Sequence, residues 1–224
     1  MGRSKGRRIS DETILVVGLG LFGSAVARTL TEMDVPVIAV TPDHGRAERY
    51  AEDFTHVIEL NPTDRTALEQ IGVGQVRKAV VALSDVEQSI MTVLALAEAG
   101  VQEIWARAAT REHGSILERI GAHHVVYTET STGRRVARAV SGYMLDYFEF
   151  EGGFAMARTK APSSTWDKSL YESRIRTENS VTVVGVKRAN EDYIFAAPTT
   201  VIRRDDEVIV AGRTGDVDAF CRLT

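Results

Sequence analysis

The chain has 224 residues, 44% of them hydrophobic and 26% charged, with a formal net charge of −4. That is an ordinary globular composition, long enough for a sizeable α/β domain plus a smaller one, and its acidic balance gives no electrostatic support for nucleic-acid binding. The single cysteine, Cys221, excludes an internal disulfide framework and a cysteine-rich metal site; with no apolar run of membrane-span length and no visible signal peptide, a cytoplasmic location is expected.

Residues 1–12 include the basic run from Arg3 to Arg8 and are expected to be a disordered leader. The first strand is the apolar run Ile14–Val17, which feeds Gly18-x-Gly20-x-x-Gly23 and then a helix over 24–33. This order is what a βα phosphate-binding turn requires. Gly18 allows the tight turn, Gly20 lets backbone approach a pyrophosphate, and Gly23 lets helix pack on strand. Beyond it the pattern alternates. Strands are expected at 36–40, 56–59, 79–83, 103–108 and 125–127, and helices at 45–54, 64–71, 86–99 and 113–120. Asn61 or Thr63 is available to cap the helix at 64–71. The succession predicts a doubly wound parallel sheet of Rossmann type, over residues 13–131.

A further amphipathic helix is expected over 132–147, with Val136, Val140, Met144 and Tyr147 on one stripe. Gly152-Gly153 then reads as a hinge, giving a crossover helix and hinge at 132–150. Residues 151–224 read as a small α+β domain, with short strands at 181–187, 193–195 and 207–211 and a last helix at 214–222.

Ligands of such sheets sit beyond the carboxyl ends of the strands, so the candidates lie there. About 20 residues past the glycines, where a dinucleotide binder carries a carboxylate for the ribose, stands Thr41. Asp43 is placed either to swing in or to cap the next helix, and Arg46 to face a 2′-phosphate. Asn61, Asp64, Ser84, Asp85, Arg107 and Glu129 follow the other strands; Glu129 is a candidate ligand for Mg²⁺ or a cap for the helix behind it. The five histidines (His44, His56, His113, His123 and His124) match no zinc spacing, and none falls in the second domain. Ser163-Ser164 lacks the setting of a hydrolase nucleophile, so no catalytic constellation is visible and no enzyme is expected.

Laid end to end, the chain resembles the RCK (regulator of potassium conductance) family, the cytosolic regulatory subunits of bacterial Ktr and Trk potassium uptake. The resemblance rests on Val17-Gly-Leu-Gly-Leu-Phe22-Gly23, Ala39-Val40, Val80-Val-Ala-Leu83, Ile104-Trp105-Ala-Arg107, Leu117-Glu-Arg-Ile-Gly-Ala122 and Tyr127-x-Glu129. In the second half it rests on Ser169-Leu170, Ile175-Arg176, the stretch 181–188, Pro198 and the stretch 205–212. It implies subunits that dimerise through the C-terminal domain and assemble into a ring, commonly an octamer, beneath a membrane-embedded K⁺ translocating subunit. Adenine nucleotides (ATP, ADP) or NAD(H), with or without Mg²⁺, then bias the gate from a site built on Gly18, Gly20, Leu21, Phe22 and Gly23 and the strand-end residues. The resemblance also implies cyclic di-AMP at Ile175, Arg176 and Pro198, with Arg174 at a position that is often acidic. Leu21 stands where ATP-responsive members often carry arginine, and Thr41 where the ribose carboxylate belongs. At about 1.5–3 kcal/mol per charged hydrogen bond, losing both weakens binding by about two to four orders of magnitude. Two alternatives therefore stand beside the regulatory reading: a structural ring subunit with a degenerate nucleotide site, and a small NAD(P)-dependent oxidoreductase.

Overall fold

The computed structural model describes residues 12–223, which form two compact units divided between Glu129 and Thr130. In the first, strands and helices alternate: β1 (Ile14–Val17), α1 (Leu21–Glu32), β2 (Val37–Thr41), α2 (His44–Tyr50), β3 (His56–Glu59) and α3 (Arg65–Gln70). After a 3₁₀ turn at Val73–Gln75 come β4 (Lys78–Val81), α4 (Val86–Glu98), β5 (Glu103–Arg107), α5 (Arg111–Arg119) and β6 (His124–Val126). The six strands lie parallel in the order β3-β2-β1-β4-β5-β6. Strand order reverses between β1 and β4, and that switch point sets the crevice.

Near-continuous apolar strands are needed because both sheet faces are covered. Leu15, Val17, Val40, Val81, Leu96, Ile104 and Leu117 belong to one apolar layer; Val16, Ala39, Ala27 and Phe54 belong to the opposite one. Truncating Leu96 or Ile104, both fully buried, to alanine would cost about 2–5 kcal/mol.

Helix starts follow capping chemistry. Asp43, Asp64, Asp85 and Thr110 each accept a hydrogen bond from a first-turn N–H of the helix behind them. The α3 cap is therefore Asp64, not Asn61 or Thr63. Asn61 Oδ1 instead accepts from the Thr63 N–H and hydroxyl, closing a local turn one step earlier.

The second unit departs more from expectation. The helix α6 spans Thr128–Val140, starting earlier and ending earlier than the stretch 132–147. Gly142, at φ +81°, takes the left-handed conformation that ends helices, so the chain turns there. Beyond it lie β7 (Asp146–Phe150), β8 (Phe154–Lys160), a 3₁₀ turn at Ser163–Thr165, α7 (Ile175–Asn179), β9 (Val181–Lys187), β10 (Tyr193–Phe195), β11 (Glu207–Arg213) and α8 (Thr214–Cys221). The antiparallel order is β10-β9-β11-β8-β7.

Met144 and Tyr147 are buried in this unit's core beside Ala155, Val210, Val217 and Phe220. Val136 and Val140 of α6 are instead 54% and 80% exposed, so the four residues form no single helical stripe. Gly152 and Gly153, at φ +78° and +74°, make the tight turn between β7 and β8 rather than an interdomain hinge. The Arg138 guanidinium lies 3.8 Å over the Tyr147 ring, linking α6 to β7.

Candidate functional site

The glycine turn is bound on both sides by strand ends: the Gly18 N–H donates to Val40 O at 2.8 Å, and the Ala82 N–H donates to Val17 O at 2.7 Å. Two of its glycines are demanded by the protein itself. Gly18 sits at φ +97°, with room for a Cβ only 3.0 Å from Ala82 O. A Cβ on Gly23 would fall 1.8 Å from Gly18 O and 2.9 Å from Ala82 Cβ, so α1 packs on the turn only if that atom is missing. Gly20 differs. Its backbone, at φ −72° and ψ −173°, suits any residue, and the nearest heavy atom to an added Cβ is Arg46 Nη1 at 3.8 Å. The fold does not require a glycine there, whereas a ligand lying against the backbone does. Gly20 is also the N-cap of α1 and no side chain caps it, so the first-turn N–H groups face the crevice. Leu21, 95% exposed, stands beside these donors and contributes no charge, and Phe22 is half-buried behind it.

Thr41 does not reach the crevice. It is 1% exposed, and its hydroxyl accepts the Asp43 N–H at 3.2 Å, holding the turn after β2. Asp43 caps α2 through Oδ1, which accepts from the Arg46 N–H at 2.9 Å, while Oδ2 lies 3.6 Å from Arg46 Nε. Of the two roles open to Asp43, the cap is thus the one the structure displays. Asn61 and Asp64 are likewise committed to their own loop and helix start. His44 is bridged by two carboxylates at this end: Nδ1 lies 2.7 Å from Glu59 and Nε2 lies 3.3 Å from Glu48. The Glu59 hydrogen bond, then the charges of Glu59 and Glu48, raise the His44 pKa above its usual value. His113, by contrast, is buried, and desolvation lowers its pKa.

At the other end of the crevice the structure gathers Ser84, Arg107 and Glu129 into one network. From the end of β5, Arg107 donates to Ser84 Oγ at 3.1 Å and to Thr128 Oγ1 at 3.1 Å, and pairs with Glu129. Thr128 also donates to Glu129 Oε2 at 2.6 Å. The Thr128 hydroxyl, then the Arg107 guanidinium, hold the Glu129 carboxyl down to about 2. The structure pairs Glu129, the candidate Mg²⁺ ligand, with Arg107. Its carboxylate is occupied by a guanidinium, and among the described residues no three His, Cys, Asp or Glu side chains converge as a metal site. A hard divalent cation would have to displace Arg107.

In the second unit, Ile175, Arg176 and Pro198 do come together, along one groove of about 1030 Å³ with Tyr171, Arg174 and Thr182. Ile175 is buried, Arg176 Nε donates to Thr182 Oγ1 at 3.1 Å, and Pro198 O accepts the Tyr171 N–H at 3.0 Å. Arg174 takes a left-handed conformation at φ +50°, which no local motif announces.

Residues 14–128, more than half of the chain, match the TrkA-N domain, and residues 156–224 match the TrkA-C domain. The chain belongs to the RCK family. It is similar to Ktr system potassium uptake protein C of Bacillus subtilis, at 31% identity over 207 residues, covering 92% of this chain and 94% of that protein. The RCK fold is shared with the GsuK RCK domain at 19% identity and a TM-score of 0.67, over 96% of this chain; that protein is longer, and only 48% of it is covered. A GsuK channel bound to NAD matches over 97% of this chain and 39% of its own, with 21% identity and a TM-score of 0.54. Among the described residues no helix is long and apolar enough to cross a membrane.

Proposed function

We propose that this chain is the regulatory subunit of a potassium uptake system, a cytoplasmic protein held at the inner face of the membrane by a membrane-embedded K⁺ translocating subunit. The observation that carries this is the 31% identity to the Ktr uptake protein of Bacillus subtilis along nearly the whole of both chains. In this reading the subunits form a ring, and an adenine nucleotide or NAD(H) in the first unit shifts the ring between two shapes. A ligand does so only if it binds the two shapes unequally, and no bond need be made or broken. Val136 and Val140 of α6 are exposed apolar residues on which further copies would pack.

The nucleotide fits in part. Gly20 leaves space for a ligand against the backbone, and the uncapped α1 N-terminus supplies donors for a pyrophosphate. The Arg107 network lies at the carboxyl ends of β4 to β6, where Ser84 and Arg107 would meet the remaining part of the ligand. Leu21 and the inward-turned Thr41 each omit a contact that a tight ATP or NAD site would contain. Those two residues favour a second reading, a ring subunit indifferent to nucleotides. Light scattering on the purified chain, with and without ATP, ADP and NADH, separates the two. A ligand-dependent change in ring size or shape supports the regulator, and an unchanged ring supports the indifferent subunit. A monomer under every condition overturns both.

A further inference from the structure

We infer that the first unit selects a 2′-phosphorylated adenine dinucleotide, NADP(H), over its unphosphorylated counterpart, with Arg46 as the residue that makes the distinction. The inference rests on the nucleotide reading above and adds to it the chemistry of the ribose end. In a Rossmann crevice, a carboxylate at the end of the second strand accepts a bond from the ribose 2′-OH and repels a phosphate there. This chain has no such carboxylate in place. Thr41 is uncharged, almost fully buried, and its hydroxyl is committed to the Asp43 N–H at 3.2 Å.

The position is filled from the next helix instead. Arg46 Nη1 stands 3.8 Å from where a Gly20 Cβ would be, so the guanidinium lies above the one glycine whose missing side chain the fold itself does not need. A ligand lying against Gly20 would meet it. Arg46 is aimed by Asp43, whose carboxylate lies 3.6 Å from Nε, and its two Nη groups have no partner among the described residues. Two free N–H edges on a planar fork are the donor set that grips a phosphate, and a lone hydroxyl cannot use them both. The nearby carboxylates Glu59 and Glu48 are held by His44, at 2.7 Å from Nδ1 and 3.3 Å from Nε2. The charge of Asp43 is already met by Arg46 and by the α2 N–H it caps.

Titration calorimetry on the full chain tests this with NADPH, NADH, 2′,5′-ADP and 5′-AMP, on the wild type and on Arg46→Ala. Arg46 is half-exposed, and removing it leaves no buried group unpaired. We expect NADPH to bind at least about tenfold tighter than NADH, and 2′,5′-ADP to exceed 5′-AMP by a similar factor. Arg46→Ala brings each pair to within about threefold, because NADPH and 2′,5′-ADP lose more affinity than NADH and 5′-AMP. Equal or tighter binding of NADH to the wild type overturns the inference while leaving the nucleotide reading intact. So does an Arg46→Ala variant that loses both dinucleotides equally, because the arginine then serves a part they share. Failure of every nucleotide to bind overturns the nucleotide reading and this inference together.

Discussion

The glycines of the βα turn differ in what they are for, and paired substitutions separate the two purposes. Gly23→Ala places a methyl group 1.8 Å from Gly18 O and 2.9 Å from Ala82 Cβ, both on the rigid turn that α1 packs against. Neither neighbour is the end of a flexible side chain, so α1 must lift off. Overpacking of this kind costs about 1–3 kcal/mol, of which the better helix propensity of alanine returns up to about 1 kcal/mol. That leaves a net cost of up to about 3 kcal/mol, so at about 2–4 °C per kcal/mol for a chain of this size Tm should fall by up to about 12 °C. Gly20→Ala meets only Arg46 Nη1 at 3.8 Å, at a backbone conformation open to alanine, and should leave stability within about 0.5 kcal/mol of wild type. It should nonetheless abolish dinucleotide binding, because the methyl group occupies the ligand's side of the turn. Differential scanning calorimetry reads the first effect and titration calorimetry the second. If Gly20→Ala destabilises as much as Gly23→Ala, or binds ligand as well as wild type, the division of roles is wrong.

Three further outcomes follow from the same geometry. Leu21→Arg adds a cation beside the α1 N-terminus at a 95% exposed position; its unfavourable interaction with the helix dipole should cost no more than about 1 kcal/mol, while ATP affinity rises by about tenfold or more, read by calorimetry. Val140→Glu, on the exposed end of α6, should reduce the oligomer without lowering Tm. Met144→Asp should instead unfold the second unit at a cost of several kcal/mol, because Met144 lies in its core and the new charge is unpaired; light scattering and circular dichroism distinguish the two. Glu129 has a folded pKa of about 2, depressed below its unfolded value of 4.5, so its contribution to stability is present above pH 4.5 and is lost as pH falls towards 2. In Arg107→Ala, a carbon-13 NMR titration of Glu129 should move upward towards the ordinary value. The Thr128 hydroxyl, the larger cause of the shift, should keep it from reaching that value.

The parallel sheet was readable because both of its faces are buried, so each strand is an apolar run bounded by capping residues. The glycine turn was readable for the same reason, with strand, turn and helix in register. The second unit was harder. Met144 and Tyr147 follow Val140 at helical spacing, and only the left-handed Gly142 reveals that the helix has ended and that both belong to a sheet core. With Tyr147 misplaced, β7 and β8 were missed and their Gly152-Gly153 turn passed for a hinge. In the crevice, strand-end positions located Ser84, Arg107 and Glu129 together, but not the ion pair between Arg107 and Glu129. Asn61, Thr63 and Asp64 are all capping types, and sequence cannot choose among them. That Arg46 lies over Gly20 depends on how α2 packs at the end of β2, which no local pattern encodes.

A regulatory subunit of potassium uptake controls the membrane pathway in response to a nucleotide. The most direct test of that role is K⁺ flux into proteoliposomes carrying the membrane subunit of the same uptake system, with this chain added, across a nucleotide series that includes NADPH, NADH and ATP. Flux should change with nucleotide when the wild-type chain is present, and that response should be lost with Gly20→Ala. Flux that is the same with and without the chain, whatever the nucleotide, would contradict the role.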